Sequence, residues 1–366
     1  MLDFWNHIPS SNLISGILAL FFSAFVCAIF TPIVVKIAKA KGLVDKPNER
    51  TSYNGAVPLL GGVAIFAGII IAASLFVPEE SVEKFRFLLA AVVILFFVGQ
   101  KDDIVGISWK NKLIAQILSA CILVFLADIR ITTLHGFLGI HEISYWLGSI
   151  LSIFVYLLII NAFNLIDGID GLASAAGILT SFVFGIWLYG IDQYGLAVVA
   201  WSLTGGLIPF FFFNVFGKKN KLFMGDTGSL MIGLLSAVFA VSVCKSELPA
   251  DHFLFMQATP SVAIAVLIYP LFDLLRIITI RIARKKSPFN PDHNHIHHLF
   301  IDSGFSHRRS TFFILSFNLV AIGWAFLMRN QSILFVGLTL LLGCIAGVAA
   351  INQVGKRRRK VRNGEE

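Results

Sequence analysis

Charge is what this chain has little of. Of its 366 residues, 14% are Asp, Glu, Lys or Arg and 57% are hydrophobic, with a mean hydropathy of +0.83. A soluble domain carries about 25% charged residues, so the composition excludes an ordinary water-soluble enzyme. Cysteine is nearly as sparse. Cys27, Cys121, Cys244 and Cys344 all lie inside apolar runs. That excludes a disulfide framework or a cysteine zinc site, and they read as small buried or lipid-facing residues. The first twelve residues hold no Lys or Arg and no small-residue cleavage site, so no signal peptide is expected there. No internal repeat is evident, which argues against the paired halves of many transporters.

What is present is a series of long apolar segments, at 13–37, 58–77, 86–100, 112–127, 145–163, 172–190, 195–216, 228–245, 259–282, 312–328 and 332–352. They are too long and too uniformly apolar for the alternating strands of a membrane barrel. The expected fold class is all-α: a polytopic integral membrane protein with about 11 transmembrane helices. Residues 1–355 form one transmembrane catalytic domain and 356–366 a basic cytoplasmic tail.

Basic residues set the orientation. With the N-terminus outside, nearly all of the 29 Lys and Arg fall on the inner side. Only Lys84, Arg86, Arg130, Lys245 and Arg329 fall outside. The C-terminus is then cytoplasmic. Its run Lys356-Arg-Arg-Arg-Lys-Val-Arg362 reads as an anionic-lipid anchor rather than a nucleic-acid patch.

The acids gather on the same inner side. Asn161-Ala-Phe-Asn164-Leu-Ile-Asp167-Gly-Ile-Asp170-Gly171 ends the fifth segment. An ionised carboxylate in hydrocarbon is costly unless paired, metal-bound or wet, so such acids are functional candidates. On a helix Asn164, Asp167 and Gly171 share one stripe, suited to a metal–diphosphate site. Asp102-Asp103 ends the third segment. Adjacent helical residues point about 100° apart, so one acid meets a metal or phosphate while the other holds a lysine, or the pair is a solvated helix end beside Lys101. Phe223-Met-Gly-Asp226-Thr-Gly-Ser229 precedes the eighth segment. It suits a hard cation and phosphate oxygens, or simply caps a helix. Asp292-His-Asn-His295-Ile-His297-His298 lacks a matching Cys or His cluster for zinc. It reads as donors to a diphosphate, near Arg281, Arg284, Lys285 and Lys286. Asp273 has Arg276 at i+3 and is expected to form an intrahelical pair.

With Gly42-Leu-Val-Asp45-Lys-Pro-Asn48 and Pro58-Leu-Leu-Gly-Gly62, these motifs resemble the polyprenyl-phosphate N-acetylhexosamine-1-phosphate transferase superfamily, in its WecA-like branch, over nearly the whole chain. The resemblance implies transfer of N-acetylglucosamine 1-phosphate from UDP-GlcNAc to undecaprenyl phosphate, releasing UMP, at the cytoplasmic face of the bacterial inner membrane. It implies a Mg²⁺ or Mn²⁺ requirement and is compatible with a homodimer. By motif match, Asp226 and Asn164 serve the metal, Phe223 stacks on uracil and Asp170 contacts uridine. Asp102 and Asp103 match the pair that handles the lipid phosphate. Arg281, His295, His297 and His298 match a diphosphate- and sugar-contacting loop. Asp167 and His298 join the acid pair as catalytic candidates. In the family, Arg and Lys often flank the acid pair. Here Lys101 precedes it and Ile104 follows, so Lys46, Arg50 and Lys112 are candidates for the lipid phosphate. Two other classes stand beside the enzyme. A cation-coupled carrier would place its acids near the membrane midplane. A non-catalytic polyprenyl-phosphate binder would be marked by loss of Asp226 or Asn164.

Overall fold

The computed structural model describes residues 12–45, 57–246, 248, 252, 254–287 and 294–363. Among these the chain is helical throughout, apart from two short hairpins. The helices are α1 (Asn12–Lys41), α2 (Gly61–Phe76), α3 (Val82–Val105), α4 (Trp109–Cys121), α5 (Tyr145–Ile166), α6 (Leu172–Gly190) and α7 (Tyr194–Phe216). They continue as α8 (Gly225–Cys244), α9 (Pro260–Val266), α10 (Ile268–Ala283), α11 (Ile296–Asp302), α12 (His307–Leu327) and α13 (Ile333–Asn363). Strands β1 (Val44–Asp45) and β2 (Val57–Pro58) pair at the end of α1. Strands β3 (Thr133–Phe137) and β4 (Ile140–Glu142) pair at the opposite end of the bundle.

Among the described residues, eight helices are singly long and apolar enough to cross a membrane, and ten spans result if each of two bent pairs is one span. The eleven expected segments map onto these. Segments 58–77 and 86–100 are the arms of α2 and α3, which turn through 119°. Segment 259–282 is not one rod: it breaks between Val266 and Ile268, and α9 and α10 meet at 76°. The fourth segment extends beyond α4 through a π-helical turn over Ile122–Leu126. Helix α13 continues across residue 355 to Asn363.

Burial sorts the helices. The apolar window of α8 is 89% buried and that of α13 only 17%, so α8 is the axis of the bundle and α13 an outer staff. Helices α3, α5 and α6 pack around α8, while α1 packs on α2 and α7. Large side chains such as Phe21, Phe97, Phe154, Val320 and Leu342 stay exposed on outward faces. In water such a belt would be a liability; in a bilayer it is the lipid contact. The four cysteines are free, as the sequence suggests.

Candidate active site

The three acidic motifs come together at one end of the bundle, around the N-terminus of α8. Asp103, in the last turn of α3, reaches across to that terminus. Its Oδ1 accepts from Asp226 N at 2.8 Å, and its Oδ2 from Thr227 N at 3.0 Å and Thr227 Oγ1 at 2.5 Å. It is a helix cap supplied from a neighbouring helix, with a negative charge on the positive end of the dipole. The approach requires Gly99, where a Cβ would overlap the backbone of Asp226 and Thr227.

Asp102 points elsewhere, as the angular separation demands. Its Oδ1 accepts from Ile107 N at 2.7 Å and its Oδ2 pairs with Lys112 Nζ at 2.7 Å. The same ammonium donates to Asp226 Oδ2. Lys112 thus bridges two motifs 124 residues apart in sequence, Asp102 and Asp226. The alternative pairing of Asp102-Asp103 with Lys101 is not what holds these acids. Asn164 Nδ2 donates to Asp226 Oδ1 and to Ser229 Oγ, both at 3.0 Å. Asn161 faces away, in a two-way amide pair with Gln116 of α4.

The loop between α5 and α6 is the hub. Asp167 looks toward the carboxylate cluster. Loss of solvation, followed by the charges of Asp226, Asp103 and Asp170, pushes its pKa well above the usual carboxylate range. At Gly168 a Cβ would overlap His297 Nε2, so the histidine helix α11 lies directly on this loop. Asp170 faces a third group. Its Oδ2 accepts from Lys221 Nζ at 2.7 Å, and His307 Nδ1 stands 3.5 Å away. Burial works against ionisation of Asp170, but His307 and Lys221 outweigh it and hold the carboxyl below its ordinary range. Lys221 Nζ also sits 5.7 Å from the centre of the Phe223 ring. The two uridine candidates, Phe223 and Asp170, therefore share one lysine.

The histidine helix carries a correction. Asp273 does not pair within its own helix. It is fully buried, its Oδ2 holds His295 Nδ1 at 2.8 Å, and its Oδ1 accepts from Ile296 N at 2.8 Å. Arg276 instead donates to Asn294 O. The i+3 spacing misleads because Asp273 faces inward, where the N-terminus of α11 offers an orphan N–H. His295 and His297 are buried, and their rings stack at 5.4 Å. Desolvation, then the neighbouring His298, His295 and His307, hold the pKa of His297 well below 6.5. Its ring lies against Gly168, and its buried Nδ1 has no hydrogen-bond partner among the described residues. His298 is only partly buried. Arg281 is buried near the end of α10. Lys46 and Arg50 lie outside the described residues. The sequence pattern assigns Asp273 the wrong partner and does not single out Lys221 and His307 as the partners of Asp170. A lone acid on an inward helix face was the available signal for Asp273.

The sequence that builds this site has known relatives. The sequence profile of glycosyl transferase family 4 matches residues 85–244. The undecaprenyl-phosphate alpha-N-acetylglucosaminyl 1-phosphate transferase of Yersinia pestis is 33% identical over 278 residues, covering 75% of this chain and 74% of that protein. The chain belongs to glycosyl transferase family 4. Proteins of the same name from Escherichia coli K12 and Pasteurella multocida are each 31% identical. The alignments cover 75% of this chain and 73% of the E. coli protein, and 89% and 90% for the P. multocida pair. The family match runs from within α3 to the end of α8, a stretch that holds Asp102, Asp103, Asn164, Asp167, Asp170 and Asp226.

Proposed function

We propose that this family 4 glycosyl transferase moves N-acetylglucosamine 1-phosphate from UDP-GlcNAc to undecaprenyl phosphate, with UMP as the other product. The observation that carries the reading is the convergence at the N-terminus of α8, where Lys112 bridges Asp102 and Asp226, Asp103 caps the helix and Asp167 lies within electrostatic reach of Asp226 and Asp103, beside the histidine helix and the Lys221–Asp170–Phe223 group. A carrier would hold such acids near mid-membrane; here they sit at helix ends. A mere binder has no need of Asp226 and Asn164 together.

The donor set suits Mg²⁺ or Mn²⁺. It is built of hard oxygens, and Asn164 spends its Nδ2 on Asp226 and Ser229, which leaves its carbonyl oxygen toward a cation. No three acidic, His or Cys side chains among the described residues close around one point. Asp226 and Asn164 would hold the ion, with the remaining ligands from substrate phosphates and water, as is usual for Mg²⁺. The bound ion would neutralise the diphosphate.

The chain supplies positioning and charge, which phosphoryl transfer chiefly needs. Phe223 and Asp170 orient the uridine, with Lys221 between them. His298 contacts the diphosphate, and His295 and Arg281 line the same loop. Lys112 steers the lipid phosphate, and Asp102 fixes Lys112. An oxygen of the lipid phosphate attacks the phosphorus that bears the sugar. The bridge to the UMP phosphate breaks, and UMP leaves with the electron pair. This is a single displacement. A phosphate monoester is largely dianionic at pH 7, so no strong base is required, and the bonds of Asp103 fit a positioning role. The site faces the cytoplasm of a bacterial inner membrane, with the N-terminus outside, by the bias of Lys and Arg.

The test is UMP release by purified protein given undecaprenyl phosphate, Mg²⁺ and either UDP-GlcNAc or UDP-GalNAc. The reading expects lipid-dependent UMP with UDP-GlcNAc preferred. Preference for another donor would keep the chemistry and change the sugar. No UMP with any UDP-sugar would refute the reading.

A further inference from the structure

Helix α11 is seven residues long. So short a helix does not hold itself together in water, yet it carries His297 and His298 against the acidic loop. Both of its ends are held from outside. At the N-terminal end Asp273 accepts from Ile296 N and His295 Nδ1. At the C-terminal end Arg358 Nη1 donates to Ser303 O at 3.0 Å, and its guanidinium lies 4.3 Å from the centre of the Phe305 ring. An acid at the positive end and a base at the negative end is the arrangement that the helix dipole favours.

Arg358 belongs to α13, the outermost helix. At 31 residues, α13 is about 46 Å long, while a hydrocarbon core of about 30 Å uses roughly 20 residues. About ten residues therefore extend past the hydrocarbon core, and they include the basic run. Six like charges between Lys356 and Arg362 oppose a regular helix, yet the helix persists to Asn363. It also comes close to α11: a Cβ at Gly355 would overlap Ser303 Oγ. Ser303 Oγ in turn donates to Leu299 O at 2.7 Å, one turn back on the histidine helix. A tail that served only to attract anionic lipid would need neither the glycine nor the directed bond.

We propose that the membrane-external end of α13 is a working part of the site, with Arg358 a positioning residue that clamps the C-terminal end of α11 and so sets where His298 stands. The consequence for turnover rests on the transferase reading; the clamp itself does not.

The test compares Arg358→Ala, Arg358→Lys and Arg357→Ala in the purified full-length protein. Two quantities are read: hydrogen exchange of the amides at 296–303, and kcat and KM for UMP release. Arg358→Ala should speed exchange of that segment about tenfold and lower kcat about tenfold, with KM for undecaprenyl phosphate unchanged. Arg358→Lys should recover part of both, since an ammonium still donates to Ser303 O but loses the flat stack on Phe305. Arg357→Ala removes the same charge without the contact and should match wild type. Exchange in α8 reports whether each variant is folded. Wild-type exchange and kcat in Arg358→Ala would overturn the proposal. So would equal losses in Arg357→Ala, which would make the tail a plain charge anchor. Absence of UMP from wild-type protein would sink the transferase reading, and the exchange result would still decide the clamp.

Discussion

The two ends of the bundle use charge in opposite ways. At the end away from the acidic motifs, a cavity of about 520 Å³ is lined in part by Lys84, Asp128, Arg130, Asp192 and Lys245. There Asp128 is matched by Arg130 at 2.8 Å and Lys245 at 3.2 Å, with Asp128 and Lys245 exposed to water. Slight burial opposes its ionisation, and the two cations outweigh that and hold it below the usual carboxylate range. At the other end, carboxylates crowd around Lys112, and Asp103 takes its partners from backbone and hydroxyl. Loss of solvation, and after it the like charges of Asp226, Asp103 and Asp170, drive the pKa of Asp167 up. The roomy end is electrostatically satisfied. On the proposed function, the end with unmet negative charge is where a cation and phosphates would bind, so charge balance rather than volume would mark the site.

The contrast can be broken by swapping acids. Asp226→Asn should lower kcat about a thousandfold, whereas Asp128→Asn should leave it within a factor of about two. UMP release from both variants in one assay decides this. The lysines come next. Lys112→Gln leaves Asp102 and Asp226 unopposed and should cost about a hundredfold in kcat; Lys245→Gln at the far end should cost nearly nothing.

Smaller effects sharpen the same contrast. Gly168→Ala sets a methyl group against His297 and should lower kcat about tenfold; the double variant with His297→Ala should recover part of the loss. The smallest effect is in pH. The folded pKa of His297 lies well below 6.5. Below pH 6.5 the unfolded chain therefore binds a proton that the folded chain refuses, and stability falls with pH. Above that pH the contribution is constant. His297→Gln should reduce the acid-side slope of stability against pH by about one proton, measured by thermal unfolding between pH 7 and pH 5.5.

Much of this was legible in the sequence, because it follows from composition and period. The apolar runs mark most helices to within a few residues, but not the break within 259–282 or the extension of α13 to Asn363. Asp102, Asp103, Asn164, Asp167, Asp170 and Asp226 stand out as acids and amides at segment ends. What could not be read is which way each side chain turns. Asp103 looks like a reactive acid, but a neighbouring helix N-terminus lies within its reach. Asp273 looks paired to Arg276 until α11 is folded against it. Lys112 is one lysine among many, and its partner Asp226 lies 114 residues away. Each case depends on a contact between distant segments, to which a local pattern is blind.

The most direct test of the central claim is Mn²⁺ binding, followed by electron paramagnetic resonance on wild type, Asp226→Asn and Asp128→Asn in the presence of UDP-GlcNAc. The account predicts a bound Mn²⁺ signal in wild type and Asp128→Asn that is lost in Asp226→Asn. Equal binding in all three would contradict it, because the unmet charge at the acidic end would then have no part in holding the ion.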